Sequence, residues 1–424
     1  MDRPQTREIL MPQAPLDPPI ESPIEVDLSD PAAFVAGVPH TYFRWLRANN
    51  PVHWQEETGL SGSLRGRGYW ALTRYEDIAY VSKNPQLFSS GVGTCVVGDL
   101  PPRDLANMRQ QLINMDPPRH TELRNLMNPH FKPGAMRRTE QNMRLIVAET
   151  LDALSGRERC DFVEDISAPI SLRGLTHLLG VPDKDSKKFY RWTNRLIGAT
   201  DPEVSSQWRG RLAVLAIFFY ASRARRKRKR HPTEDIYSSL VHGAFDGASL
   251  TKLQLGMNYF LLIIAGNETT RSAMSGGVRA LCEHPDQLDR LLRNPGLLPQ
   301  AIEEMLRWVT PVMQFRRTAM ANLELGGRAI RKGDKLVMYY GAANRDPAVF
   351  DNPEVFDIGR RPNPHLAFGT GTHFCVGSHM ARLELRIAFE EILGRFPLIR
   401  LAGPVERLQS NFISGIKKMP ISLV

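Results

Sequence analysis

Phe368-Gly369-Thr370-Gly371-Thr372-His373-Phe374-Cys375-Val376-Gly377 is the stretch on which the reading of this chain turns. Its cysteine stands directly before a segment, from about Val376 to Arg395, in which Leu383, Leu385, Ala388, Phe389 and Ile392 fall at helical spacing. A thiol at a helix start meets unsatisfied backbone N–H groups and the positive end of the helix dipole, which lower its pKa and suit it to be a thiolate ligand. Gly369, Gly371 and Gly377 remove side chains where a flat ligand needs close backbone approach, and they allow the dihedrals of a tight loop. Taken alone, one cysteine beside a Gly-rich turn reads equally as a buried core thiol.

A second unusual stretch lies upstream. Ala265-Gly266-Asn267-Glu268-Thr269-Thr270 follows the apolar run Phe260-Leu261-Leu262-Ile263-Ile264, which places an acid and an alcohol inside a long helix. Thr269 can hydrogen-bond the carbonyl of Ala265, four residues back, and such back-bonding loosens a helix locally. Gly266 leaves space for a diatomic ligand, and Glu268 with Thr269 could relay protons. By itself the hexapeptide is equally compatible with a packing site or a kink.

Away from these stretches the chain reads as predominantly α with a smaller β part. Residues 1–30 form a Pro-rich leader, in which Pro4, Pro12, Pro15, Pro18, Pro19 and Pro23 deny a continuous helix; residues 31–424 form one domain without an internal linker or repeat. Pro31 to Arg47 reads helical, Val52 to Tyr75 carries short strand-like runs, and amphipathic helices follow through Leu306. Leu323 to Tyr340 predicts strands with tight turns at Gly326-Gly327 and Lys332-Gly333-Asp334, before a loop from Asn344 to Gly371.

The formal net charge is +10, yet seven basic residues lie between Arg223 and Arg230, a run without aromatics that reads as a solvated helix end rather than a nucleic-acid surface. Four cysteines (Cys95, Cys160, Cys282, Cys375) without C-x-x-C spacing argue against a zinc module or a disulfide framework and fit a reducing cytoplasm. No apolar stretch is long enough to span a bilayer, so neither a membrane nor a nucleic acid is expected as a partner.

Taken together, the ten residues ending at Gly377 resemble the haem-binding signature of the cytochrome P450 family, whose fold is a triangular prism of helices with a small β region. The resemblance implies haem b held by Cys375, with the thiolate favouring O–O cleavage. It implies that Glu268 and Thr269 are the family's distal acid–alcohol pair. His120 and Arg124, one helical turn apart in Met115 to Arg124, resemble the propionate-binding helix, and Arg317 and His373 match two further propionate contacts. The choice of Arg317 over Arg316 rests on the resemblance alone. Glu304 and Arg307 match the family's Glu-x-x-Arg element, a structural ion pair. By position, Val92, Val96, Val97, Leu262, Ala265, Val312, Phe315 and Phe412 would line an apolar substrate pocket, although the same residues could be core.

The resemblance implies a monooxygenase that hydroxylates a C–H bond of a small apolar substrate, a steroid, sterol or terpenoid. It would use O2 and electrons from a ferredoxin and ferredoxin reductase, since the chain has no nicotinamide or flavin fingerprint. A cytoplasmic monomer is expected. The rival functions are a haem-thiolate sensor or carrier without turnover, which the acid–alcohol pair argues against, and a nucleic-acid binder acting through Arg223 to Arg230.

Overall fold

The computed structural model describes residues 24–60, 65–197 and 207–424. Most of the leader lies outside the described residues. Its last part does not hang free: Leu28 is fully buried among Phe43, Tyr69 and Tyr339, and its carbonyl accepts from the Tyr339 hydroxyl at 3.3 Å and from Asn411 Nδ2 at 3.3 Å. The chain thus joins the fold before Pro31.

The helices are α1 (His40–Asn49), α2 (Tyr75–Lys83), α3 (Pro102–Met108), α4 (Arg119–Met127), α5 (Pro133–Asp152), α6 (Ala168–Leu178), α7 (Asp183–Ile197), α8 (Gln207–Arg230), α9 (Ile236–His242), α10 (Lys252–Glu283), α11 (Pro285–Arg293), α12 (Leu298–Val309), α13 (Tyr340–Ala343) and α14 (Ser378–Arg395). At the centre runs α10, 32 residues long, packed against α6, α8, α12 and α14. Its start is set by Thr251, whose hydroxyl accepts from the Gln254 N–H while the Gln254 side chain accepts from the Thr251 N–H. This capping box satisfies two donors that a helix start would otherwise leave unpaired. The helical core is one continuous cluster that includes Ile263, Met274, Met305, Ile387 and Phe389. Among the described residues no helix is long and apolar enough to cross a membrane.

The strands gather beside the helices. Strands β1 (Val52–Gln55), β2 (Tyr69–Leu72), β3 (Phe88–Ser89), β4 (Arg159–Asp161), β5 (Ala244–Phe245), β6 (Ala248–Ser249), β7 (Gln314–Ala319), β8 (Leu323–Leu325), β9 (Arg328–Ile330) and β10 (Lys335–Tyr339) are followed by four short ones near the C-terminus. The largest sheet has the order β1-β2-β10-β7-β3, with β10 antiparallel to β7 and parallel to β2. Its register pairs Phe315 with Met338, Arg316 with Val337 and Arg317 with Leu336. Because side chains alternate across a strand, Phe315 and Arg317 point to one face and Arg316 to the other.

Candidate active site

The cysteine loop is shaped by its glycines. Gly369 and Gly371 both have φ +68°, a left-handed conformation that side chains rarely adopt, and a Cβ on Gly371 would fall 2.4 Å from the Ser82 carbonyl. Cys375 is held by its own N–H, which donates to the Phe368 carbonyl at 2.9 Å, and α14 starts three residues later. The expected lowering of the thiol pKa is not what the chain alone produces. Burial pushes the Cys375 thiol up, against a backbone hydrogen bond from Gly377 and the charges of Arg124 and Arg382, which pull it down. A bound metal cation would reverse that balance, because a coordinated thiol is deprotonated.

Four basic groups converge beside this loop. The His120 ring, from α4, lies 4.3 Å from the His373 ring of the loop. Burial pushes His120 down to about 4, with Arg124 and Arg317 adding to the effect, and His373 is lowered by burial and by the same two arginines. Buried Nδ1 of His120 has no hydrogen-bond partner, whereas His373 Nε2 meets the Ser90 hydroxyl at 3.1 Å. Among the described residues neither Arg124 nor Arg317 forms an ion pair, although Arg317 is only 4% exposed and its guanidinium donates to the Arg316 carbonyl at 2.8 Å. Buried cations without counter-charge are costly. A flat ligand bearing two carboxylates fits this cluster, with its metal toward Cys375, so the residues present suit haem.

Strand alternation separates the two neighbouring arginines. Arg316 points to the opposite face, where its guanidinium meets Asp99 at 2.9 Å and the Val97 carbonyl at 3.1 Å. Arg317 shares its face with Phe315, whose ring stands 6.1 Å from Tyr340 and 5.7 Å from Phe412.

On α10, Ala265 is exposed and Leu261 and Thr269 half-buried, although the helix runs through the middle of the molecule. These three residues lie four apart on one face, which is therefore left uncovered by packing there. The Thr269 hydroxyl donates to the Ala265 carbonyl at 2.7 Å. Glu268 is buried and engaged with Arg271, whose Nη2 lies 2.7 Å from Oε1 and 2.5 Å from Oε2. The acid is thus clamped by a cation three residues along the helix rather than joined to the neighbouring alcohol.

The expected wall residues divide. Val312, Phe315 and Phe412 come together through the Phe315–Phe412 rings, a bridge from Val312 to Ile413, and the Met313 N–H donating to the Phe412 carbonyl at 2.9 Å. The loop bearing Val96 runs along β7, since the Arg316 N–H donates to the Cys95 carbonyl at 2.8 Å, and Val92 is exposed. Val97 and Leu262 are buried in packed cores.

Glu304 and Arg307 are both fully buried, joined at 2.7 and 2.8 Å. Arg307 also donates to the carbonyls of Asn344, Pro353 and Val355, while Glu304 accepts from Arg360 and Asn363. The pair ties α12 to the loop that leads to Cys375.

Sequence reasoning missed three residues around the site. Arg382, seven residues after the cysteine, lies over the Phe368 ring at 4.5 Å and pairs with Glu303 at 2.6 Å. Arg271 clamps Glu268. Glu384 is buried on α14 and its carboxyl bonds the Thr270 side chain. An acid between Leu383 and Leu385, on a face shared with Met380 and Ile387, was the available signal for the last.

The family model described as Cytochrome P450 matches residues 171–421. The steroid C26-monooxygenase of Rhodococcus jostii (strain RHA1) is 36% identical over 403 residues, 93% of this chain and 84% of that protein. The methyl-branched lipid omega-hydroxylase of Mycobacterium bovis is 36% identical over 414 residues, 96% of each chain. In structure, a Mycobacterium marinum cytochrome P450 in complex with pseudoionone superposes with a TM-score of 0.87 at 34% identity, covering 96% of this chain and 100% of that one. A Bacillus megaterium relative in complex with testosterone gives 0.78 at 31% identity, covering 91% and 99%.

Proposed function

The chain belongs to the cytochrome P450 family, and on that premise we propose that Cys375 is the thiolate that holds its haem and that His120, Arg124, Arg317 and His373 receive the propionates. The protein is a haem b monooxygenase that hydroxylates an apolar substrate. The observation that carries the site assignment is the convergence of four basic groups, His120 and Arg317 buried and Arg124 and His373 partly so, without an ion-pair partner for either arginine among the described residues, beside the cysteine loop. Bound there, haem supplies the iron and the activation of dioxygen for inserting oxygen into a C–H bond.

The chain's own residues then have distinct tasks. Thr269 holds its hydroxyl proton on the Ala265 carbonyl, at the open face of α10, and turning that hydroxyl away would free the proton for the reacting centre. Glu268 can exchange protons with this hydroxyl only after leaving Arg271. Val312, Phe315 and Phe412 present an apolar wall and exclude water.

A steroid, sterol or terpenoid is the substrate class that this wall suits, and relatives are named for a steroid and a methyl-branched lipid. Electrons would come from an acidic ferredoxin served by its reductase. It would dock beside α14 at a groove of about 360 Å³, lined by Arg137, His379, Arg382 and Arg386 together with Glu140 and Glu303, where the basic groups outnumber the carboxylates. Turnover that loses its ionic-strength dependence when Arg137 and Arg386 are neutralised supports that docking; unchanged dependence counts against it. A cytoplasmic location is in keeping with four free cysteines.

The test of the central assignment is the absorption spectrum of the reduced protein under carbon monoxide, with Cys375→Ala as control. A strongly red-shifted Soret band that vanishes in the variant is expected, followed by spin-state shifts with steroids and terpenoids. A histidine-type spectrum indifferent to the substitution would overturn the assignment.

A further inference from the structure

Two faces of α8 differ sharply. Its inner face, with Gly210, Ala213, Ile217, Ala221, Ala224 and Arg228, is buried. Arg228 on that face is neutralised within the fold by Asp235 at 2.8 Å. On the outer face Trp208, Leu212, Leu215 and Phe219 follow at helical spacing and are 61, 49, 64 and 65% exposed. Trp208 and Phe219 are about 16 Å apart along the axis at the usual helical rise.

That line of the helix continues into Arg223, Arg226 and Arg230, with Arg211, Lys227 and Lys229 at its flanks, all exposed. The Arg223 guanidinium sits over the Phe219 ring at 6.0 Å, joining the apolar and basic halves. From Gln207 to Arg230 the helix contains no Asp or Glu. A row of large exposed apolar side chains marks an interaction surface rather than ordinary solvent exposure.

We propose that the outer face of α8 docks on an anionic phospholipid surface, with Trp208, Leu212, Leu215 and Phe219 in the acyl boundary and the exposed arginines and lysines on the headgroups. Charge decides the occupant. A second copy laid along this face would set basic side chains against basic ones in either direction, because Arg209 and Arg211 stand at one end and the basic run at the other. Anionic lipid complements the cations and accepts the apolar row, as in helices that lie within a membrane interface. The lack of a spanning segment, which led to the expectation of no membrane partner, does not bear on a helix lying flat. Such docking would also place the enzyme where apolar compounds accumulate.

The test is flotation of the full-length holoprotein with phosphatidylcholine vesicles, with and without phosphatidylglycerol. The controls are Leu215→Ser/Phe219→Ser and Arg226→Gln/Lys227→Gln/Lys229→Gln/Arg230→Gln, all at exposed positions. Expected are salt-sensitive binding to the anionic vesicles, at least tenfold weaker binding of each variant, and a blue shift of emission that disappears in Trp208→Phe. No binding to anionic vesicles, or binding by both variants as tight as that of the parent protein, would overturn the proposal. So would concentration-dependent self-association abolished by the serine variant, which assigns the face to a second copy, or an acidic ferredoxin held by this face when vesicles are not.

Discussion

The Glu384 carboxyl on α14 hydrogen-bonds Thr270 on α10, so the helix that follows Cys375 is pinned to the helix that carries Thr269. The carboxyl also lies against Gly174 of α6, where a Cβ would fall 2.4 Å from its Oε1. Burial pushes the Glu384 pKa up to about 8, against the Thr270 hydrogen bond, which lowers it. A free glutamate titrates near 4.3, roughly. Between the two values the native state keeps a proton that the unfolded chain has lost. The stabilisation is therefore complete below the lower value and is lost as pH rises through the upper one. Glu384→Gln, neutral throughout, should flatten this decline. Urea midpoints of both proteins from about pH 5 to about pH 9 check it; parallel curves would show that the carboxyl ionises freely.

The Glu304–Arg307 pair has no exposed surface, so removing Glu304 leaves the buried Arg307 charge without this carboxylate, and removing Arg307 leaves the buried Glu304 charge facing Arg360 at 3.2 Å. Glu304→Ala and Arg307→Ala should each cost about 3–5 kcal/mol. Arg307→Lys should not rescue, because an ammonium cannot present the fork that serves Glu304 and three carbonyls together. Denaturant unfolding of each variant is the measurement, and a loss under about 1 kcal/mol would show that the ion pair contributes little net stability.

Arg124→Leu and Arg317→Leu should each speed the transfer of haem to a scavenging globin by about tenfold, roughly the loss of one charge-assisted contact. Arg316→Leu, whose guanidinium serves Asp99 on the other face of β7, should leave the transfer rate near that of the parent. The reverse ranking would assign the propionate contact to the wrong strand face.

Thr269→Ala should lower product formation by on the order of 10²-fold if its hydroxyl delivers a proton. Thermal stability should hold or rise slightly, since the bond to the Ala265 carbonyl loosens the helix. Thr269→Ser should retain most turnover. A variant equally stable and equally active would remove Thr269 from the reaction.

Local sequence determined much of this protein. The cysteine loop was legible because its information is consecutive: glycines that allow left-handed backbone, then a thiol, then the start of a helix. The helix-rich layout, the strands at Tyr69–Leu72 and Lys335–Tyr339, and the back-bond from Thr269 to Ala265 follow from periodicity and from contacts four residues apart. Family order supplied the expectation for Arg317, and strand alternation on β7 puts it on the opposite face from Arg316.

What only the tertiary structure decided depends on partners far away in the chain. Leu28 belongs to the core because Tyr339 and Asn411 meet it there, and Phe315 faces Phe412 because two distant segments converge. The thiol of Cys375 is raised rather than lowered because desolvation by the packed fold outweighs the local helix end. The basic run on α8 gains meaning only when its neighbours Trp208 to Phe219 are found uncovered. Sequence periodicity can place a residue on a face, but the energy of burying a charge or exposing a ring is set by what the rest of the chain brings to that face.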